Sequence, residues 1–307
     1  MDYKLFRIQF ETGVHIGNGR LTDASNTITA DVMFSAMCQE IHRMKGDKGI
    51  RQLLDWVNEN HLRLSDAFPF DRSDYYLPKP YLTIESTKDS DNKKEYKNLN
   101  YIPLLKWKEY LSGSSNPKEL KKMQNEISKK GQRTAIGYNP DGEHDIYNTG
   151  YQRFQEGAGL YFVLGYSEKS ILDSVENLFQ SLQYTGIGGK KSAGFGSFSF
   201  DTITVPDELQ EKIESESEEV YMTLTTSIPD DSELHDAMGT VVGYKLIRRG
   251  GYIQSEGVNR QPLRKRDAYL IGAGSVFRSP YVGTVLQVGD HWSHPVYKYA
   301  KPIWIGV

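Results

Sequence analysis

Gly186-Ile187-Gly188-Gly189-Lys190-Lys191-Ser192-Ala193-Gly194-Phe195-Gly196-Ser197-Phe198-Ser199-Phe200 follows a stretch of helical periodicity and runs into a strand-like one, which makes it a helix-to-strand loop. Five of the eleven residues from 186 to 196 are glycines. A backbone without Cβ atoms lets its N–H groups come close to a ligand, and Lys190, Lys191 and Ser192 stand at the tip, as an anion-cradling loop requires. A P-loop anchored on Gly189-Lys190 is excluded: Tyr184 stands where its first glycine belongs, Lys191 stands where its hydroxyl belongs, and the loop follows a helix rather than a strand. A dinucleotide fingerprint fails on the same order of elements. The alternative is a glycine-rich turn that only lets helix and strand pack; the paired lysines favour phosphate.

The flanks of this loop set the fold. Upstream, Ile171, Leu172, Val175, Leu178, Phe179 and Leu182 give the cleanest amphipathic helix in the chain, preceded by a strand pattern at 160–165. Downstream, Phe198, Phe200, Ile203 and Val205 continue as a strand. At the start of the chain, residues 3–10 alternate as a first strand and end in the polar loop Thr12-Gly13-Val14-His15-Ile16-Gly17-Asn18-Gly19-Arg20. From Thr29 or Asp31 as N-cap, Phe34, Met37, Cys38, Ile41 and Met44 recur at helical spacing, and a second short helix carries Ile50, Leu53, Leu54 and Val57. A strand pattern at Leu62 and Leu64 leads to Phe68-Pro69-Phe70 and Leu77-Pro78-Lys79-Pro80, whose prolines exclude regular helix. Residues 86–158 stand apart as a lysine-rich insertion with little apolar periodicity beyond 101–105, expected to project as a thumb-like arm, with a solvated, frayed loop as the alternative for its tip. Without the insertion the order is strand, helix, strand, strand, helix, strand, the ferredoxin-like (RRM-like) arrangement.

Pro206 and the acidic run 207–219 read as a linker between a first domain, 1–205, and a second, 220–307. The second half offers strands at 220–228, 240–249, 267–277, 282–288 and 295–305 with one short helix near 233–238. The expected class is therefore α+β, with two ferredoxin-like domains of which the second is poor in helix.

The chain of 307 residues is long enough for two cores, and 38% hydrophobic with 25% charged residues is the balance of a globular protein. No apolar run reaches ~18 residues and the first residues open directly into a strand pattern, so neither a membrane span nor a signal peptide is expected. A single cysteine, Cys38, on the apolar face of a helix reads as core in a cytosolic protein. The net charge of −3 argues against coating nucleic acid by bulk electrostatics. The charges are segregated, however. Lys245, Arg248, Arg249, Arg260, Arg264, Lys265 and Arg266 face only Glu256 among acids in that span, and the chain without its acidic run is net basic.

Taken together these features resemble the RAMP superfamily of CRISPR proteins, whose members pair ferredoxin-like folds and carry a glycine-rich loop between the last helix and last strand of a copy. Gly188-Gly189-Lys190-Lys191-Ser192-Ala193-Gly194-Phe195-Gly196 is similar to that loop. The segment from Phe68-Pro69-Phe70 to Leu77-Pro78-Lys79-Pro80, together with Arg248-Arg249-Gly250-Gly251-Tyr252, Gly274-Ser275-Val276-Phe277 and His294-Pro295-Val296-Tyr297-Lys298-Tyr299, resembles the branch that caps the guide RNA in type III-A effector complexes. The resemblance implies a non-catalytic subunit that caps the 5′ tag of the crRNA between the large polymerase-like subunit and the first backbone subunit. The insertion would then wedge between guide and target RNA. It implies no cofactor and no membrane.

The residues agree with an RNA-binding role on their own chemistry. Single-stranded RNA offers a phosphate at every nucleotide and bases that stack, so a binder presents backbone N–H groups, cations and interleaved aromatics. The candidate RNA-binding residues are His15, Gly17, Gly188, Gly189, Lys190, Lys191, Ser192, Gly194, Gly196, Lys245, Arg248, Arg249, Tyr252, Arg264, Lys265 and Arg266, with Phe195 and Tyr244 as further stacking faces. A solvated loop is the alternative for the second-half cations. The rival function is a metal-independent endoribonuclease in which His15 moves the 2′-hydroxyl proton and Lys190 or His42 assists. One histidine is not a catalytic constellation, so His15 is read as hydrogen-bonding RNA or backbone. Asp31 resembles the acidic residue with which related backbone subunits cleave target RNA, and is read here as an N-cap. His42 and His61 are too widely spaced for a helical metal pair, His291 and His294 lack companions, and no metal site is expected. A pure protein scaffold would leave the glycine loop without a role.

Overall fold

The computed structural model describes residues 1–84, 90–138, 144–216, 218–253, 264–289 and 295–307. His291, His294, Arg260 and Glu256 lie outside the described residues. The first half runs β1 (Asp2–Phe10), α1 (Ala30–Asn58), β2 (Leu62–Leu64), β3 (Phe68–Asp71), β4 (Asp74–Pro78), α2 (Ser90–Lys97), β5 (Tyr101–Pro103), α3 (Trp107–Leu111), α4 (Pro117–Ile127), β6 (Ser128–Tyr138), β7 (His144–Phe154), β8 (Ala158–Tyr166), α5 (Lys169–Thr185) and β9 (Phe198–Thr204). Its sheet has the order β5-β4-β3-β8-β1-β9, with β2 also on β8, and its neighbours pair antiparallel. The class is α+β, as the periodicities predict.

Strand β1 alternates because it has two faces to fill. Phe6 and Ile8 point to α1 and α5, whose Phe34, Met37, Ile41, Leu178, Phe179 and Leu182 complete a core with Phe162 and Leu164. The Phe6, Phe162 and Phe179 rings lie 5.0–5.3 Å apart. All six apolar positions expected of α5 are buried. Helix α1 is broken at Gly46 (φ 62°), so the two expected helices meet there; Met44, expected on the apolar face, is 45% exposed. Buried Glu40 clasps α1 to α5 by accepting the Ser181 and Thr185 hydroxyls at 2.5 and 3.0 Å.

The other face of the sheet carries Leu5, Tyr161, Val163, Phe68, Phe70 and Leu77, and it too is covered. Ile102, Leu104, Trp107, Tyr110 and Leu120 from residues 101–120 pack there, as do Met222, Leu224, Val276, Ile303 and Ile305 from the second half. Every residue of β8 is consequently buried, which is why 160–165 reads as an unbroken apolar run rather than an alternation. The widely spaced aromatics and leucines of 101–120 are thus core, and this part of the insertion does not project as an arm. Beyond them, β6 and β7 form an eleven-residue antiparallel ladder from Ser128↔Phe154 to Tyr138↔His144.

The second half contains α6 (Asp207–Glu214), β10 (Tyr221–Thr223), α7 (Leu234–Gly239), β11 (Val241–Gly243), β12 (Leu246–Arg249), β13 (Ala268–Ile271), β14 (Val276–Phe277), β15 (Thr284–Gln287), β16 (Tyr297–Ala300) and β17 (Trp304–Gly306). Strands β11-β14-β10-β17 form one sheet, and β12-β13 and β15-β16 form separate ladders. The acidic segment read as a linker is helical at 207–214, with Leu209 buried.

Long-range polar contacts tie the halves together. Tyr299 packs its ring 5.6 Å from Phe34, and its hydroxyl accepts the Leu64 N–H at 2.8 Å. Two of the motifs quoted above also meet: the Tyr81 N–H donates to the Gly274 carbonyl at 2.8 Å, and a Cβ at Gly274 would lie 2.5 Å from the Lys79 carbonyl oxygen. No described helix is long and apolar enough to cross a membrane.

Candidate nucleic-acid interface

Three segments converge at one end of the first-half sheet: the 12–24 loop after β1, the glycine loop between α5 and β9, and the base of the β6–β7 hairpin. The Gly189 N–H donates to the His15 carbonyl at 2.8 Å and the Gly196 N–H to the Gly13 carbonyl at 2.9 Å. On the opposite side of the same segment, Val14 and Gln152 exchange backbone hydrogen bonds at 2.8 and 2.9 Å. The loop after β1 is thereby held between hairpin and glycine loop.

The glycines are required by these approaches. Gly196 sits at φ 81°, and a Cβ there would lie 2.0 Å from the Ile187 carbonyl oxygen; at Gly188, φ 97°, it would lie 2.7 Å from that of His15. We expect Gly196→Ala to cost at least 1–3 kcal/mol from the left-handed backbone alone, read as a lowered midpoint in chemical denaturation. An unchanged midpoint would mean that the loop relaxes freely. Part of the expected backbone cradle is engaged within the protein: the N–H groups of Gly189 and Gly196 bond the first loop, and those of Ala193 and Gly194 turn back onto Lys190 and Lys191. Cationic and aromatic side chains around the loop add to what its remaining N–H groups can offer an anion.

Those side chains are arranged on one face of the hairpin. Lys190, itself at φ 59°, places Nζ 4.7 Å from the Tyr147 ring centroid and 3.3 Å from its hydroxyl. Arg133 donates to the Ala193 carbonyl at 2.8 Å and lies 5.6 Å from the Phe195 ring centroid. Phe195, expected as a stacking face, is buried against Tyr151, 5.4 Å between centroids, and supports the loop instead. Arg133, Thr149, Tyr147, Lys190 and Phe195 enclose about 180 Å³, and a larger cleft of about 520 Å³ lies between Arg20, Asp23, Lys130, Gln132 and Tyr151. Arg133 and Tyr147 escaped the sequence reading; the alternation Tyr147, Thr149, Tyr151 was the available signal.

His15 is 8% exposed and its Nδ1 donates to the Gly150 carbonyl at 2.6 Å. Of the two assistants considered for the nuclease reading, His42 lies 3.4 Å from Asp47 on the exposed side of α1, whereas Lys190 follows the Gly189 that bonds His15. Ser192 and Gly194 are exposed at the tip, and Gly17 is exposed beside His15.

The second-half cations divide. Arg249 turns inward to buried Asp31, 3.1 Å, which Lys298 also meets at 3.4 Å. Asp31 is therefore not the N-cap: Thr29 holds that position, and the Ala30 N–H is bonded by Asp66 at 2.8 Å. Burial opposes ionisation of Asp31, but Arg249 and Lys298 outweigh it and hold the carboxyl below its ordinary range. Burial draws the Lys265 and Lys298 ammonium groups down, with Asp31 opposing. Arg248 pairs with Asp267 at 2.6 Å, and the exposed Arg266 reaches the Gln287 carbonyl at 2.8 Å. Lys245, Arg264, Tyr244 and Tyr252 are exposed, and Tyr252 bridges Arg264 in backbone pairing. Both groups of residues flank residues 12–31, His15 in one and Asp31 in the other.

Comparison with known proteins places this architecture. The model of the RAMP superfamily matches residues 7–199, so the chain belongs to that superfamily of CRISPR proteins. The model of the CRISPR Csm4 C-terminal domain matches residues 216–307. The chain is 34% identical to the CRISPR system Cms protein Csm4 of Mycobacterium tuberculosis (strain ATCC 25618 / H37Rv), over 100% of this chain and 98% of that protein. It is 31% identical to the protein of the same name from Streptococcus thermophilus, over 99% and 98%. Within the superfamily it is therefore a member of the Csm4 family. A chain in the crystal structure of a Csm3-Csm4 subcomplex of the type III-A CRISPR-Cas interference complex shares the fold, with TM-score 0.66, 19% identity and 100% and 99% coverage. A chain of a Csm1-Csm4 cassette crystallised with pppApA does so with TM-score 0.65, 18% identity and 99% and 97% coverage.

Proposed function

We propose that this chain is a non-catalytic RNA-binding subunit of a type III-A CRISPR interference complex, serving antiviral defence by capping and anchoring the 5′ tag of the crRNA. In this reading it bridges the large polymerase-like subunit to the first backbone subunit and meets target RNA only indirectly. Residues 1–205 act as one ferredoxin-like domain, 220–307 as a second, helix-poor one, and the β6–β7 hairpin as the thumb. The observation that carries the reading is the clamp of Lys190, Arg133 and Tyr147 over a loop that cannot open without breaking the Gly189–His15 and Gly196–Gly13 bonds. A single strand bound there would lie across cations and an aromatic ring at the sheet's end, because the sheet face that RRM-type domains offer to RNA is filled here by the insertion and the second half.

The decisive experiment purifies the chain with and without its genomic neighbours and sequences the retained RNA. Short RNAs sharing one 5′ end, held only in the assembly and uncut by this chain alone, support the capping role. Cleavage of repeat RNA by the isolated chain would transfer His15 to the nuclease reading. Lys190→Ala with Lys191→Ala is expected to weaken RNA binding about tenfold near 0.15 M salt, whatever the sequence. If about four phosphates are held, the log–log salt slope of about −3 becomes shallower by about 1.4. A slope that does not move removes both lysines from phosphate contact.

A further inference from the structure

His15 is nine-tenths buried, yet only one of its two ring nitrogens is used. Nδ1 lies 2.6 Å from a carbonyl oxygen, which can only accept, so Nδ1 carries a proton, and in the tautomer with that one ring proton Nε2 is a lone-pair acceptor. Among the described residues Nε2 has no partner, while the one fully buried side-chain polar atom without a partner is Trp107 Nε1; His15 Nε2 therefore touches solvent. The opening is made by missing side chains. A Cβ on Gly17 would stand 3.9 Å from Nε2 and one on Gly189 3.8 Å from it, and Gly17 is exposed. An acceptor fixed at the floor of an opening selects for donors. A phosphate has none to give, whereas a ribose 2′-hydroxyl donates at every nucleotide and sits one bond network from the phosphate that Lys190, the residue after Gly189, is placed to meet.

We propose that His15 Nε2 accepts a hydrogen bond from a single ribose 2′-hydroxyl and so makes this end of the sheet selective for RNA over DNA at one nucleotide. The inference rests on the RNA-binding reading above and adds the atom read. It assigns the hydroxyl as donor, which distinguishes it from contacts in which the 2′-oxygen merely accepts from a lysine or a backbone N–H, and from discrimination by sugar pucker.

The test reconstitutes the complex with synthetic guide RNAs carrying one modified ribose at a time along the 5′ tag and measures competition against unmodified RNA. At one position, 2′-deoxy and 2′-fluoro are both expected to lower affinity about three- to tenfold, the range of one hydrogen bond. The fluoro sugar keeps the RNA-like pucker and an acceptor but has no proton to donate. In His15→Ala the same two modifications become neutral to within about twofold, although overall affinity falls. Should that variant fail to assemble, the fluoro penalty in the unaltered protein decides the matter. Tolerance of 2′-fluoro wherever 2′-deoxy is penalised overturns the proposal, as does a penalty that follows the base and not the sugar, or one that persists in His15→Ala. Retention of no RNA at all would bring down the parent reading as well, whereas RNA held without any 2′ dependence removes only this inference.

Discussion

Asp31→Ala is expected to lower the free energy of unfolding by about 3–5 kcal/mol, the cost of leaving buried cations without their counter-charge. The carboxylate is 7% exposed and accepts from Arg249 at 3.1 and 3.2 Å, from Lys298 at 3.4 Å and from the Thr29 hydroxyl at 2.5 Å. Its removal strands Lys298, itself 3% exposed, beside Arg249, with like charges facing each other across a cavity. Urea unfolding of the purified chain gives the number. Replacing all three, Asp31→Leu with Arg249→Met and Lys298→Met, should recover much of the loss, because a buried ion network is worth little more than well-packed apolar side chains. A single-variant loss under ~1 kcal/mol would mean the group is solvated. The same pairing joins α1 to the second half of the chain through Arg249 and Lys298.

The second large effect is at Asp66, whose carboxylate accepts from the Ala30 N–H at 2.8 Å, the Thr226 N–H at 2.9 Å and the Thr226 hydroxyl at 2.6 Å. It caps α1 in place of Thr29 and pins the second half to the first. Asp66→Ala leaves three donors unsatisfied and should cost about 3–5 kcal/mol. Burial pushes its carboxyl up to about 6, with the hydrogen bonds from Thr226 and Ala30 opposing. A folded-state value above the ordinary 3.8 means that folding disfavours the ionised form. The associated stability is fully present below about pH 4 and is lost as pH rises through about 6. Asp66→Asn keeps an acceptor for the two N–H groups and offers its amide to the hydroxyl. It should therefore match or exceed the unaltered protein at pH 7 and flatten the stability profile between pH 4 and 6. If Asn proves as damaging as Ala at pH 7, the ionised carboxylate is essential and the sign is reversed.

Neither network was legible in the sequence, for a physical reason. Asp66 meets Ala30 across 36 positions and Thr226 across 160, and Lys298 meets Asp31 across 267. Polar contacts leave no periodicity, and Asp31 at the head of a helical pattern has the ordinary appearance of a cap. What could be read was local and apolar: the two faces of β1, the six buried positions of α5 and the glycine loop as a helix-to-strand connection. The insertion resisted because Trp107, Tyr110, Leu120 and Ile127 are spaced among lysines, and because much of the outer hairpin is solvent-facing, Ile136 and Ile146 being 58% and 76% exposed opposite each other. In the acidic run, Leu209 and Ile213 stand four apart and mark the buried side of α6, a signal masked by charge. The site was read as a list of cations and glycines. The fold spends several of those glycines, and Arg249, on its own cohesion.

The covering of the sheet's second face has a consequence for synthesis. When Val205 is added to the nascent chain, Leu5, Phe68, Phe70, Tyr161 and Val163 have at most the part of their covering that comes from residues 101–120, because Met222, Leu224, Val276, Ile303 and Ile305 do not yet exist. Translation of the roughly 100 residues up to Ile305 takes about 5–20 s at ordinary elongation rates. For that interval the nascent chain carries an apolar, strand-rich surface into a crowded cell, and its covering is completed only when residues as late as Ile303 and Ile305 arrive.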